Sequence, residues 1–396
     1  MRRRRLPPGL PAVLMLIALV AGIYLGGHPD HLPGFARNTL VADTDGRLYQ
    51  EAVDQIHSDY YKPVASDKLL NTSIGAAVAS LKDPYSHYFS PRNYGAFEDD
   101  TQGRFQGIGT TVTKVKQGLK INQVYAHSPA ARSGVRAGDV IVSVNGASLA
   151  GKSLDQSTNL IKGPAGTSVR LGVRSDGRVR QVTLKREEVD IPVVESKLER
   201  YHGQAIGWVH LAGFTAGAHG EVDTAVQQLL HKGAKGLVFD LRENGGGLLD
   251  EAVQVASIFI PDGRIVSTKG RNRAERVYNA TGGAISTKIP MAVLVDGGTA
   301  SASEIVTGAL QDHKRAVVVG THTYGKGVFQ EIERMSNGGA LDITVGEYFT
   351  PNGRNLGGGG VKKGAGITPG IKAVDNPKTK PDEALQAALR AVAAGR

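Results

Sequence analysis

Five short apolar runs in the second half of the chain limit its fold more than any other feature. They lie at 205–211 (AIGWVHL), 236–241 (GLVFDL), 291–295 (MAVLV), 316–319 (AVVV) and 340–345 (ALDITV). Each is too short for a helix with its own core face and reads as a buried strand. Between several of them lie stretches with helical periodicity, at 220–231, 249–260 and 303–310. Buried strands alternating with amphipathic helices specify an α/β domain. That domain accounts for about half of the 396 residues, and the length calls for two or three domains in all. The 52 glycines favour turn-rich α/β or β architecture over a helical bundle. No internal repeat is present.

The first half carries different signals. Arg2–Arg5 precede an uncharged, mostly apolar segment at 6–27, densest at 12–25. A charged flank followed by a hydrophobic helix is an export signal, and the positive-inside rule leaves the arginines in the cytoplasm. Leu19, two residues before Ala21, spoils a small-x-small cleavage site, so an uncleaved anchor is preferred over a cleaved signal peptide. The expected location is the cell membrane, single-pass, with the N-terminus cytoplasmic and the remainder extracytoplasmic; cleavage would make the product secreted. Cysteine is absent, which excludes disulfides, thiolate metal sites and a cysteine nucleophile. Four charges of the net +10 belong to Arg2–Arg5, and the other basic residues are interleaved with acids, so nucleic acid is not an expected partner. No metal site and no cofactor are expected. Residues 28–38 read as a linker and 39–102 as a helical region, with Ser66-Asp67 as an N-cap. Within it, the aromatic-rich stretch 83–97 reads as a helical hairpin packed on the main body.

Residues 103–188 read as a compact β-rich domain. Strand candidates at 105–115 and 119–124 are followed by a short helix at 128–133 and a buried strand at 140–144. The Asn145-Gly146 turn follows, then an amphipathic helix at 153–161 and a hairpin around Ser175-Asp176-Gly177. The glycines Gly107 and Gly109, SPAARSGVRAGDVIVSVNG at 128–146 and GPAGTSVRLGV at 163–173 resemble a bacterial PDZ domain, a small β-sandwich or barrel-like fold. The resemblance implies capture of a peptide C-terminus by strand addition, with a backbone nest for its carboxylate at Gln106, Gly107, Ile108 and Gly109. Taken without the surrounding match, the two glycines make only a tight turn.

Three groups of residues could carry chemistry. Ser301 and Ser303 follow the run 291–295, and Lys326 lies between Gly325 and Gly327 with Gln330 four residues later. A serine hydroxyl needs a base, and lysine serves as one when burial disfavours its charged form. If 326–330 is helical, Gln330 shares a face with Lys326 and steadies its amine. DLRENGGGLL at 240–249 joins a strand end, a glycine turn and a helix start, and offers backbone N–H groups to an oxyanion. It lacks the spacing of a phosphate-binding loop. A Ser-His-Asp set would draw on His313 or His322 with Asp312 or Asp342, but no nucleophile-elbow signature supports it.

Together TASASEIVTGALQD (299–312), YGKGVFQ (324–330), DLRENGGGLL and YFTPNGR (348–354) resemble the carboxyl-terminal processing, or tail-specific, proteases. The order of helical region, PDZ domain and core is also similar, over about residues 48–371. The resemblance implies Ser301 as nucleophile, Lys326 as base and Gln330 as the residue orienting the lysine. It implies an oxyanion hole from Ala302 and either Gly246 or Gly247. Asp296, Gly297 and Gly298 depart from the pattern, where many members carry Asn. The implied core, over 189–375, is a crotonase-like (ClpP-like) α/β fold followed by a C-terminal tail helix over 376–396. The implied activity is a membrane-anchored serine endopeptidase acting on protein substrates with free C-termini. A homo-oligomer is admitted. The competing readings are a catalytically inactive PDZ scaffold and a crotonase-type acyl-CoA enzyme.

Overall fold

The computed structural model describes residues 44–285, 287–376 and 378–395. The apolar segment at 6–27 and the linker at 28–38 lie outside the described residues. Among the described residues, no helix is long and apolar enough to cross a membrane. The chain divides into two compact units, Met1–Ser80 and Leu81–Arg396. The first contains helices α1 (Thr44–Asp59) and α2 (Ser66–Ala79). The cap of α2 is Ala65 rather than Ser66. The Ser66 hydroxyl lies 3.0 Å from His57 Nε2 instead.

The second unit opens on a turn, strand β1 (His87–Phe89) and helix α3 (Pro91–Thr101). The helical hairpin expected at 83–97 is therefore replaced by a turn, strand and helix. Asp83 explains the start, because its carboxylate accepts from Tyr85 N–H and Ser86 Oγ and closes the chain on itself.

Next comes a β domain: β2 (Arg104–Gly107), β3 (Thr110–Val115), β4 (Gly118–Val124), the short helix α4 (Pro129–Arg132), β5 (Val140–Val144), β6 (Ala147–Ser148), α5 (Leu154–Ile161), β7 (Ser168–Ser175), β8 (Arg178–Lys185) and β9 (Glu187–Asp190). Strands pair in the order β3-β4-β5-β7-β8, with β6 on β5. Alternate residues Leu119, Ile121, Ile141, Leu171 and Val173 fill one core. The hairpin turns put Asn145 and Gly146 at φ 49° and 86°, and Asp176 and Gly177 at 49° and 80°. Type I′ turns, with two positive φ values, match the strand twist and favour Asn-Gly and Asp-Gly, so these pairs fix the registers. Ser153 caps α5 in a capping box with Gln156. β2 and β9 pair antiparallel as a separate two-stranded ribbon at the entry and exit of this domain.

The remaining elements are β10 (Val194–Tyr201), β11 (Gln204–Leu211), α6 (Ala218–His231), β12 (Leu237–Asp240), α7 (Leu249–Ser257), β13 (Arg264–Gly270), β14 (Arg273–Asn279), β15 (Met291–Val295), α8 (Ala302–Asp312), β16 (Val317–Gly320), β17 (Val328–Arg334), β18 (Ala340–Phe349), β19 (Ile371–Lys372) and α9 (Glu383–Ala393). The main sheet runs β10-β11-β12-β15-β16-β19, parallel from β11 onward. Its central strands β12 and β15 are buried on both faces. Leu237, Phe239, Met291 and Val293 point into the cluster built with α6, α7 and α8. Val238, Ala292 and Leu294 point into a second cluster with Ala388 and Leu389 of α9. Continuous apolar runs are the signature of such strands. The fifth run, 340–345, belongs elsewhere: β18 joins a second sheet, β1-β18-β13-β14, with β17 also on β18. The parallel strands all end at one edge, so the turns after β12, β15 and β16 meet there, where open α/β sheets hold their chemistry.

Candidate active site

The turn after β15 sets the serine. Ser301 stands at the N-cap of α8 with φ 56° and ψ −118°. For a non-glycine residue this is a sparsely populated conformation, costing about 1–3 kcal/mol, and such strain is retained where the surroundings enforce it. The surroundings here are specific. Ser301 N–H donates to Glu304 Oε2 at 3.0 Å. Ala300 N–H and Ser303 Oγ both donate to the Asn244 carbonyl, at 3.0 and 2.9 Å. Thr299 Oγ1 donates to the Leu241 carbonyl at 2.8 Å. Ser303 is thus a buried structural hydroxyl, whereas Ser301 faces the phenol of Tyr348, with which it shares a hydrogen bond. Burial pushes that phenol up to about 12, so it stays protonated.

The glycine turn after β12 lies directly on the serine. Asn244 is fully buried and gives its amide to the Leu211 carbonyl at 2.7 Å, while its Oδ1 accepts the Gly246 N–H at 2.9 Å. A Cβ on Gly246 would stand 2.8 Å from Ser301 Cβ and 3.0 Å from Ala302 N. With φ 110° as well, only glycine fits. Gly247 sits against Phe214, where a Cβ would meet the carbonyl oxygen at 2.4 Å. The Gly246 carbonyl accepts from Phe214 N–H and the Phe214 carbonyl accepts from Leu248 N–H, at 3.0 and 2.8 Å. The N–H of Gly246 is therefore spent inside the turn.

The third turn carries the lysine. Lys326 Nζ donates to Gln330 Oε1 at 2.7 Å and not to Ser301. The segment 326–330 is not helical: Val328 opens β17, and a register shift between Phe329 and Gln330 brings the amide back toward the lysine. Burial lowers the Lys326 pKa below lysine's ordinary value, while Asp342, Asp83 and Glu304 pull it upward.

Glu304 joins the serine and lysine turns. It is fully buried and accepts four hydrogen bonds. Thr323 Oγ1 and Gly325 N–H reach Oε1 at 2.6 and 2.7 Å, and Lys326 N–H and Ser301 N–H reach Oε2 at 3.0 Å each. Desolvation pushes its carboxyl upward, and the four donors oppose this. One oxygen thus holds the backbone of both Ser301 and Lys326. Behind the glycine turn, the buried Asp240 carboxylate binds the Arg242 guanidinium through two nitrogens and the Trp208 indole N–H. Arg242 also reaches Asp382, just before α9.

Sequence reasoning missed Glu304, which reads only as a helix-capping residue, and the contribution of the 83–97 stretch. Of the two histidines, His313 ends α8 with its Nε2 2.7 Å from the Arg264 carbonyl, and His322 is exposed. Asp312 binds Arg354 and Asn352 N–H. Asp342 lies on β18 and acts on Lys326 only through its charge. In the β domain, Gln106 and Gly107 end β2, and Gln106 Oε1 accepts from Ala165 N–H at 3.1 Å. Ile108 is buried and its carbonyl accepts from Ala130 N–H. Gly109, at φ 81°, packs so closely on Ser128 that a Cβ would lie 2.1 Å from Ser128 Cβ.

Residues 205–372 match the family model described as peptidase family S41, and residues 120–175 match that of a PDZ domain. The carboxy-terminal-processing protease of Bartonella bacilliformis is 34% identical over 371 residues, 91% of this chain and 83% of that protein. A probable CtpA-like serine protease of Staphylococcus aureus is 36% identical over 330 residues, 82% of this chain; the chain spans 66% of that relative's length. Among solved structures, a photosystem II D1 C-terminal processing protease is similar, with a TM-score of 0.51 and 29% identity over 88% of this chain and 97% of that one. A putative S41 protease from Bacteroides fragilis shares the fold, with a TM-score of 0.50 and 19% identity, over 87% of this chain and 97% of that one.

Proposed function

Because this chain belongs to peptidase family S41, with the carboxy-terminal-processing proteases, we propose that it is a serine endopeptidase working through Ser301, Lys326 and Gln330. The observation that carries the reading is the shared clamp: one carboxylate oxygen of Glu304 accepts the backbone N–H of both Ser301 and Lys326. The lysine amine beside it is dry enough to fall below its ordinary pKa. A neutral Lys326 takes the proton as Ser301 Oγ adds to the peptide carbonyl. The oxyanion is met by the N–H of Ala302, the first residue of α8, where helix N–H groups have no intrahelical acceptor. The second donor is Gly247 rather than Gly246, whose N–H is already given to Asn244. On collapse the C–N bond breaks and Lys326 returns the proton to the leaving amine. Water then hydrolyses the ester, with Lys326 again as base.

The hydrogen bond from Lys326 to Gln330 leaves the lysine lone pair free for the serine only after deprotonation. The resting geometry, with no Lys326–Ser301 hydrogen bond, is a site that tightens when substrate arrives. In the same reading the β domain selects substrates through their C-termini at Gln106–Gly109. The core is crotonase-like, residues 6–27 anchor the chain with the core outside the cytoplasm, and copies of the chain assemble. The test is peptide cleavage by the full chain. Ser301→Ala and Lys326→Ala should each abolish turnover while the melting profile stays that of the parent; turnover retained by either variant sinks the assignment.

A further inference from the structure

The turn 83–86 lies some 240 residues from the lysine in sequence, yet it meets the lysine site from two directions. Its first contact is a ring: Lys326 Nζ sits 4.8 Å from the centroid of Tyr85. The Tyr85 hydroxyl lies 3.0 Å from that of Tyr324, two residues before the lysine. Burial and Tyr324 push the Tyr85 phenol up to about 12, so the ring over the amine stays neutral.

Its second contact is a chain of hydrogen bonds. Asp83, held as a carboxylate by the donors around it, only accepts. Thr344 must therefore donate its hydroxyl proton to Asp83. The Thr344 oxygen then has only lone pairs left, and it takes Gln330 Nε2–H at 2.9 Å. That fixes the Gln330 amide with Oε1 toward Lys326, at 2.7 Å. A reversed amide would point N–H groups at the amine. Ser86 locks the arrangement: its hydroxyl donates to Asp83 at 2.7 Å and accepts Thr344 N–H at 3.1 Å. Pairing of His87 with Asp342 continues the attachment onto β18.

We infer that Asp83 and Tyr85 are positioning residues for Lys326, Asp83 by setting the Gln330 amide through Thr344 and Tyr85 by covering the amine with its ring. The inference rests on the proposed role of Lys326 as base. A ring face stabilises the ammonium, as do the charges of Asp83, Glu304 and Asp342, whereas burial opposes it. The proton on Lys326 is thus balanced between a dry pocket and a cradle that favours the cation. His87 faces Asp342 and Asp83 and tempers both acids.

The test is the titration of Lys326 itself, read by NMR on the full chain carrying isotope-labelled lysine, with the signal assigned by its loss in Lys326→Arg. Tyr85→Leu keeps the cover apolar and removes the π face; the midpoint should fall by about half to one and a half pH units. Tyr85→Phe keeps the ring and the parent midpoint. Asp83→Asn removes a negative charge and must also lower the midpoint, so the inference stays testable if Tyr85→Leu does not fold. Midpoints unmoved in both Tyr85→Leu and Asp83→Asn overturn it. Peptide cleavage measured in parallel separates the two readings. Shifted midpoints in a chain that cleaves nothing in any form refute the peptidase and leave the cradle standing. Cleavage with unmoved midpoints refutes the cradle and leaves the peptidase. If both hold, Thr344→Val should lower kcat at least tenfold with little change in KM, because the freed amide misorients the base and not the substrate.

Discussion

Glu304→Gln is the sharpest perturbation of the site, since it changes one atom of a carboxylate with four donors. The amide can turn its NH2 toward either pair. Turned toward Ser301 and Lys326, it faces two backbone N–H groups that cannot reverse. Turned toward Thr323 and Gly325, it faces one hydroxyl that can accept instead and one N–H that cannot. The second orientation wins: Thr323 Oγ1, which already accepts Ile367 N–H, has a second lone pair for the amide but loses the acceptor of its own proton, and Gly325 N–H is orphaned, together about 1–3 kcal/mol. The bonds from Ser301 and Lys326 persist but lose their charged acceptor, about 1 kcal/mol each. Neutralisation returns part of this, because burial already disfavours the ionised carboxyl. The net is about 2–4 kcal/mol, a fall in melting temperature of roughly 5–10 °C for a domain of this size. Turnover should fall about tenfold or more, since the Gly325 N–H beside Lys326 loses its anchor and the bonds that set Ser301 and Lys326 lose their charged acceptor. Thermal melting and peptide cleavage by the full chain check both figures. A variant that melts and cleaves like the parent would refute the clamp.

Two further outcomes are expected. The pH profile of kcat/KM should rise as Lys326 loses its proton, because the neutral amine is the base; burial places that limb below lysine's ordinary value. A limb at about 10.4, the unperturbed value, would mean that a solvated lysine controls the rate. Gly246→Ala should cut kcat about a hundredfold or more and lower the melting temperature, because the strained methyl would press on Ser301 Cβ and sit 3.0 Å from Ala302 N, where the oxyanion is expected. Parent-like turnover in that variant would place the oxyanion elsewhere.

Local chemistry made much of this fold legible. Asn145-Gly146 and Asp176-Gly177 announced hairpins, and the short Val/Ile/Leu runs announced strands buried on both faces. What was hidden depends on pairing across long separations. The run at 340–345 looks like the other four, but β18 also pairs with β1, β13 and β17, so it forms a second sheet. The Lys326–Gln330 spacing is right for a helix and equally for a strand with a bulge, and spacing alone does not separate them. Glu304 is three residues from Ser301, and that pattern has a sufficient explanation as a cap; its bonds to Thr323, Gly325 and Lys326 emerge only once β16 is placed beside β15. Asp83 and Tyr85 gave no chemical signal at all, because what they touch is contributed by β17, β18 and the loop before them.

The ribbon of β2 and β9 has a consequence for engineering. Arg104 pairs with Asp190 and Gly107 with Glu187, so the chain leaves the core and comes back at neighbouring positions about 5 Å apart. Everything between is a plug-in cassette on a two-stranded stem. A different module whose own ends meet at that spacing could be grafted there at little cost in loop closure, joining the same core to a domain of another chemistry.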